Sequence, residues 1–475
     1  MTKPTAVMIL AAGQGKRMQS SLPKVLHEIG GAPMLFHILN RVRETSPQSP
    51  VAIVVGHGRE KVEAAVRANP DYAKMDITFV LQAEQRGTGH AARCAMDAAW
   101  GDQRIKDKAS VLVLPGDLPL IPAGLVEQLL APLAKADVLR LLTTELQDPT
   151  GYGRIVRRGK RGPVLRIVEQ KDANLRERAI REVAVSIYLF QAAFLRYGLQ
   201  RLSNKNAQGE YYLTDLIAQA AKAKKKSEVL VWDEPQDLRG INDPWELSQA
   251  CRILNDRVLK GWALQGVRVM DPLTIWIEPT VRLEREVTLY PGVFLTGKTH
   301  VKAGAVIEPH VYLSDVEVGE GARIKTGTVA EQSVVGPRVQ LGPYARLRPE
   351  SQVGADAKIG NFVELKKTTI GEKTSVAHLS YLGDATVGRD VNIGCGFVTC
   401  NFDGRVIDGS RKHRTVIEDG VFMGSDCQTV APVKVGKGAF VASGSTITED
   451  VPADALAIAR TRQVNKPGYA KKLKP

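Results

Sequence analysis

The sequence predicts an α/β domain followed by a β-helix built from hexapeptides. Two observations carry this. Over roughly the first 240 residues, short apolar runs alternate with longer amphipathic stretches, as in a mostly parallel sheet flanked by helices. Beyond residue 266 an aliphatic side chain falls on every sixth position: Val335, Leu341, Leu347, Val353, Ile359, Leu365. Neither an α-helix nor an ordinary strand has a period of six. A hexapeptide solenoid does, each hexad being one short strand and one corner.

In the first part, strands are expected at Ala6–Leu10, Val51–Val55, Ile77–Leu81 and Val111–Leu114, and helices at Met34–Arg43 and Gly89–Ala99. A helix is expected from Asp243 to Leu264. Asp243 suits the N-cap, Pro244 the first turn, and Gly266 follows the end. It reads as a connector, giving domains at 1–240, 241–265 and 266–460, with a basic tail at 461–475.

The hexads extend back through Val301, Ile307, Leu313, Val318 and Ile324. They run on through Ile370, Val376, Leu382, Val387 and Ile393, and return at Val435, Val441 and Ile447. Some steps are five residues, as from Leu365 to Ile370, which a shortened corner explains. Glycine often follows the aliphatic position (Gly336, Gly342, Gly354, Gly360, Gly371, Gly388, Gly394, Gly436). The expectation is that these glycines supply the positive φ of a tight corner. Between Asn401 and Arg414 the beat fails, and a loop is expected to leave the coil there.

Composition bounds the rest. At 475 residues two or more domains are expected. No apolar run reaches the length of a membrane span, and the segment Ala6 to Ala12 lacks the flanks of a signal peptide. Five cysteines without CxxC spacing read as reduced cytosolic thiols. The net charge of +14 suits anionic partners, among them phosphorylated small molecules. Arg460 to Pro475 carries six basic residues and no acidic one, and reads as a solvated end. No nucleic-acid-binding motif accompanies it.

The chemistry begins at "AVMILAAGQGKRM". An apolar strand ending at Leu10 runs into Ala11-Ala12-Gly13-Gln14-Gly15-Lys16-Arg17. Small residues let backbone N–H groups approach phosphate, and Lys16 and Arg17 can neutralise it. Lys24 follows in "LPKV". In "QAEQRGTGHA", Gln82 can read a base edge while Gly87 and Thr88 permit close approach. Asp117 follows the strand "VLVLP", where a carboxylate is placed to hold Mg²⁺ against phosphates.

In order, the chain carries "LAAGxGxRM", "LPKVL", "LQAEQxGTGHA", "GDxPL", "DPTGYGRI", "VEQKDA" and "NAQGEYYLTD". The second half carries "GPYARLRPE", "GNFVELKK", "AHLSYLGDATVG", "VNIGCG", "TCNFDG", "GSDCQTVAPV" and "ALAIAR". Over nearly its whole length the chain resembles the bacterial bifunctional N-acetylglucosamine-1-phosphate uridylyltransferase / glucosamine-1-phosphate N-acetyltransferase family. The resemblance implies an N-terminal Rossmann-like nucleotidylyltransferase domain and a C-terminal left-handed parallel β-helix. It also implies a cytoplasmic homotrimer that uses Mg²⁺, UTP, acetyl-CoA and glucosamine-1-phosphate to supply cell-wall synthesis, with no nucleic-acid or membrane partner.

Residue by residue, the resemblance implies that Arg17 and Lys24 neutralise the triphosphate, and that Asp117 and Asn242 hold Mg²⁺. Gln82, Gly87 and Thr88 read uracil beside Leu10, Ala11 and Gly13, while Gly153 and Glu169 contact the sugar. In the coil, His378 is the general base for acetyl transfer, and Glu364 orients or polarises it. Arg348, Lys366 and Lys412 bind the sugar phosphate, and Tyr381 and Asn392 hold the sugar. Cys395, Asn401, Phe402, Ser425, Ser443 and Arg460 meet acetyl-CoA. The chain departs from the family at Ala184, where a sugar-binding Asn is usual. It departs again at Pro115 (usually Tyr), Lys16 (usually Thr) and Phe402 (usually Tyr). An active but weakened sugar subsite is therefore expected. Two narrower readings stay open: acetyl transfer alone, or nucleotidylyl transfer with a purely structural coil.

Overall fold

The computed structural model describes residues 5–100, 105–159, 162–406 and 409–473. Lys474 and Pro475 of the basic tail, and Ile407 and Asp408 of the expected loop, lie outside the described residues. The chain forms two compact units, 1–254 and 255–475.

The first unit is built on a nine-stranded sheet. Its central order is Ile77–Leu81, Val51–Val55, Thr5–Ala11, Ser110–Pro115, Glu182–Gln191, Asp137–Glu145, Lys226–Val231. The first four strands pair in parallel; Glu182–Gln191 runs antiparallel to both its neighbours. Alternate residues of Thr5–Ala11 enter different cores, Met8 one and Val7 and Ile9 the other. A strand covered on both faces needs an unbroken apolar run, and "AVMIL" is one. Helices Met34–Thr45, Arg59–Ala68 and Ala123–Leu130 cover one face; Thr88–Ala98, Ala192–Leu199 and Asp215–Lys222 cover the other. The order reverses beside Thr5–Ala11, which opens a crevice at the carboxyl ends of that strand and Ser110–Pro115. The four expected strands and three expected helices are all present, the last as Pro244–Leu264 with Asp243 Oδ1 accepting from the Glu246 amide. No helix among the described residues is long and apolar enough to cross a membrane.

The second unit is a parallel β-helix of three sheets with eleven, ten and nine strands, the stacked arrangement of the left-handed hexapeptide solenoid. Up to Thr446–Ile447 each strand pairs in parallel with the third one before it; Leu456–Ala457 closes the stack on Phe440–Val441. Leu341, Ile359, Val376 and Ile393 thus stand in one ladder, and Leu347, Leu365 and Leu382 in another. Every hexad aliphatic named above is buried in one continuous core. Each such side chain contributes roughly 1.5–3 kcal/mol by leaving water, and its partners come from neighbouring coils.

The role expected of the glycines is corrected by the structure. Of the eight, only Gly342 has positive φ. The left-handed positions lie three places after the aliphatic and often carry side chains, as at Arg338, Tyr344, Glu350, Asp356, Phe362, Lys373, Leu379 and Asp390, while glycine fills the same place at Gly304, Gly321, Gly327, Gly396, Gly438 and Gly444. The other glycines of the eight are required because neighbouring backbone passes too close for a Cβ. At Gly360 a Cβ would stand 1.7 Å from the Ala377 carbonyl oxygen, and at Gly371 2.4 Å from Gly388. The shortened corners are real. After Leu313, Leu365 and Leu382 the left-handed residue comes one place early, at Asp315, Lys367 and Asp384. The loop leaves the coil after Val398–Cys400, which is followed by Thr415–Ile417.

Candidate active site

In the first unit the crevice is a cavity of about 600 Å³ at the ends of Thr5–Ala11 and Ser110–Pro115. The residues of the first unit to which the resemblance gives a role all line it: Leu10, Ala11, Gly13, Arg17, Lys24, Gln82, Gly87, Thr88, Asp117, Gly153, Glu169 and Asn242. The departures Pro115 and Ala184 line it too; Lys16 is not part of the lining.

Lys24 organises the floor. Its Nζ donates to Asp117 Oδ2 at 2.5 Å and to Asn242 Oδ1 at 2.9 Å. The Lys24 side chain is 11% exposed, so the attraction is less screened than at an open surface. Gly13 faces open space, with nothing within 4 Å of the position of a Cβ. Glu169 is half-buried and its Oε1 accepts from Thr214 Oγ1 at 2.9 Å. Burial pushes its pKa up; the Thr214 bond opposes this, and Asp215 adds to it. The strand Glu182–Gln191 bulges between Ala184 and Tyr188, and Ser186 takes a left-handed φ of 58° there. The bulge puts Ala184, Val185 and Ser186 all on the cavity wall.

Three contributors were not singled out from sequence. Gln85 Nε2 donates to the Ala12 carbonyl at 2.6 Å and so fastens the glycine turn to the "QAEQ" segment. Thr214 and Tyr152 complete the wall. All lie within quoted motifs, but nothing local distinguishes them from their neighbours.

Among the described residues no group of three or more His, Cys, Asp and Glu could hold a metal. The set at Lys24 is one carboxylate and one amide oxygen. That suits Mg²⁺, which takes few protein oxygens and completes its shell with water and phosphate.

On the coil, His378 ends the strand Ser375–His378 and is exposed, with Nδ1 2.8 Å from Asn361 Oδ1. Glu364, expected at the base, instead accepts from Arg348 Nη1 at 3.1 Å. Arg348 and Lys366 sit on adjacent rungs, one residue past the Leu347–Leu365 pair, with Lys366 at the far end of the strand that Glu364 begins. Carrying the ladder two residues past Val376, Ile393, Met423 and Val441 stacks His378, Cys395, Ser425 and Ser443 at one corner. Backbone bonds from Asp426 to Cys395 and from Gly444 to Ser425 hold this column. Asn392 begins a strand on the preceding face. Asn401 is buried and donates to Asp384 Oδ2 at 2.5 Å. Phe402 is exposed, with the Lys412 ammonium 4.2 Å from its ring centroid. Arg460 reaches toward Gly444. The structure thus places His378, Cys395, Ser425 and Ser443 at one corner of the coil and Arg348 and Lys366 toward the next.

Residues 7–181 match the MobA-like NTP transferase domain. A bifunctional protein GlmU from Trichlorobacter lovleyi is 45% identical over 98% of both chains. Another from Streptomyces coelicolor is 43% identical over 100% of this chain and 95% of its own. The chain belongs to the bifunctional GlmU family. As a GlmU member it is a bifunctional transferase whose nucleotidyltransferase part is the first unit. Among solved structures, a putative glucose-1-phosphate thymidylyltransferase from Bacillus anthracis is 17% identical, with a TM-score of 0.41 over 52% of this chain and 94% of that one. At that level it adds nothing to the family assignment. A third GlmU relative, from Brevibacillus brevis, is 44% identical over 100% of this chain and 98% of its own. Such full-length matches cover coil and α/β unit alike, so both halves share the assignment.

Proposed function

We propose that this chain makes UDP-N-acetylglucosamine in two steps. The coil, within 266–460, moves the acetyl group of acetyl-CoA to the amine of glucosamine-1-phosphate. The first domain, 1–240, then joins the product to UTP and releases pyrophosphate, with 241–265 as connector and 461–475 as a basic tail. The observation that carries the reading is the convergence of Lys24, Asp117 and Asn242 beside the glycine turn.

In the uridylyl step a phosphate oxygen of the sugar attacks the α-phosphorus of UTP. An O–P bond forms as the bond to pyrophosphate breaks. Such transfer depends on positioning and charge neutralisation. Lys24 and Arg17 bring positive charge to the triphosphate, and the open space at Gly13 admits it. Asp117 and Asn242 would hold Mg²⁺, which would supply positive charge against the triphosphate. Gln82, Gly87 and Thr88 face the base beside Leu10 and Ala11; Gly153 and Glu169 face the sugar. Ala184 offers no hydrogen bond there, a loss worth roughly 0.5–1.5 kcal/mol, which weakens sugar binding without abolishing the reaction.

In the acetyl step the free amine attacks the thioester carbonyl. A C–N bond forms, the C–S bond breaks, and His378 Nε2 takes the amine proton and passes it to the departing sulfur, so that coenzyme A leaves as the thiol. Arg348, Lys366 and Lys412 hold the sugar phosphate, with Tyr381 and Asn392 on the sugar. Cys395, Asn401, Phe402, Ser425, Ser443 and Arg460 flank acetyl-CoA. The spread of these residues over two corners supports a homotrimer in which neighbouring coils complete each site. We place the enzyme in the cytoplasm, acting on small molecules without a nucleic-acid or membrane partner.

The test supplies glucosamine-1-phosphate, acetyl-CoA, UTP and Mg²⁺, with each intermediate also given separately. Absence of pyrophosphate from UTP and N-acetylglucosamine-1-phosphate overturns the first assignment. Absence of free coenzyme A thiol overturns the second.

A further inference from the structure

The proposed uridylyl site turns Gln82 toward the base, and the inference rests on that reading. Gln82 is 4% exposed and lines the cavity. Its Nε2 lies 3.1 Å from the Gly87 carbonyl oxygen and 3.2 Å from His90 Nδ1. A carbonyl oxygen only accepts, so the NH₂ end of the amide must face Gly87. Both amide hydrogens are then committed, one to Gly87 and one to His90. His90 Nδ1 is therefore the acceptor, and the ring proton sits on Nε2, which faces Cys94 Sγ at 3.7 Å.

The frame around this amide is rigid. Gly87 has φ of 96°, and a Cβ there would stand 2.7 Å from the Tyr211 carbonyl oxygen, so only glycine fits where the peptide meets Gln82. His90 and Cys94 lie one turn apart on the helix Thr88–Ala98. Burial, and after it the charge of Arg93, lowers the His90 pKa and keeps the ring neutral; the Glu84 carbonyl and carboxylate pull weakly the other way, and Arg86 adds to the lowering. What Gln82 still has to offer is Oε1, an acceptor.

We propose that His90 is a positioning residue that sets base specificity: it holds the Gln82 amide so that only an acceptor faces the base. The site then takes a pyrimidine whose edge offers an imide N–H, as uracil N3–H does. Cytosine presents a lone pair at the same position, so two acceptors would meet in a buried site.

The test measures pyrophosphate release by the full-length protein with N-acetylglucosamine-1-phosphate and either UTP or CTP. The readout is the ratio of kcat/KM for the two nucleotides. His90→Leu removes the acceptor and is expected to lower the UTP/CTP ratio by about tenfold, the worth of one such hydrogen bond. His90→Asn, whose Oδ1 stands near the place of Nδ1, is expected to restore most of it. Acetyl transfer by the same chains serves as the folding control and is expected to be unchanged. An unchanged ratio in a working His90→Leu enzyme, or an Asn variant as permissive as Leu, overturns the inference alone. A wild-type chain that turns over neither nucleotide overturns the uridylyl reading and the inference with it.

Discussion

Asn361 Oδ1 accepts a hydrogen bond from Nδ1 of His378 at 2.8 Å, across one rung of the coil. The bond fixes the tautomer and leaves the Nε2 lone pair free to take a proton. His378→Ala is expected to cut acetyl transfer by about 10²–10⁴-fold, the usual worth of a general base. Asn361→Ala, which only frees the tautomer, is expected to cost about tenfold. Pyrophosphate formation should be unchanged in both. Equal loss of the two activities in a folded protein would contradict the assignment.

The Lys24 ammonium serves Asp117 and Asn242 at once. Lys24→Met keeps the length of the side chain and removes its charge. It is expected to lower uridylyl kcat by about 10²-fold or more, as loss of a preorganised charge donor does. Acetyl transfer by the same protein should stay within twofold of wild type, roughly the scatter of distant, uncoupled sites. Steady-state assays of each half-reaction decide this.

Glu169 has a pKa raised by burial, so its ionised form costs the folded state stability. The folded state holds the proton more tightly than the unfolded chain. The penalty is therefore full above the folded pKa and disappears as pH falls below the unfolded value. Glu169→Gln keeps an acceptor for Thr214 and is expected to raise the melting temperature of the first unit at pH 7. The gain should shrink as pH is lowered through the carboxylate range. In assays the same change is expected to raise KM for the sugar phosphate. Thermal melts from pH 4 to 8 that show no gain at neutral pH would refute this.

Two corner substitutions separate close approach from backbone handedness. Gly360→Ala forces a Cβ to within 1.7 Å of the Ala377 oxygen. It is expected to cost about 3 kcal/mol or more, because backbone on both sides cannot yield. Asp390→Gly, at a left-handed residue with φ of 56°, is expected to stay within about 1 kcal/mol of wild type. Denaturant melts followed in the coil compare the two.

Elements were legible from the sequence wherever a short-range period controls them. "VAIVV" at 51–55 became the strand Val51–Val55, and the hexad aliphatics became one core. Candidate site residues were legible as motifs. Their partners were not: Gln85, Asn361 and Thr214 sit inside quoted motifs, but their hydrogen bonds reach 73, 17 and 45 residues away. The glycines show the same limit. Their spacing was plain, yet whether a glycine serves φ or clearance depends on which chain segment passes beside it.

The sequence by itself determined the two architectures, the strand positions and the sixfold beat, because alternation and burial are set by residues a few places apart. Only the tertiary structure decided that Lys24 meets Asp117 and Asn242, 93 and 218 residues away. It alone decided that Asn361, and not Glu364, meets His378 Nδ1, and that His90 Nδ1 stands beside the Gln82 amide. The physical reason is that hydrogen-bond direction depends on register and topology between elements, which no local period encodes.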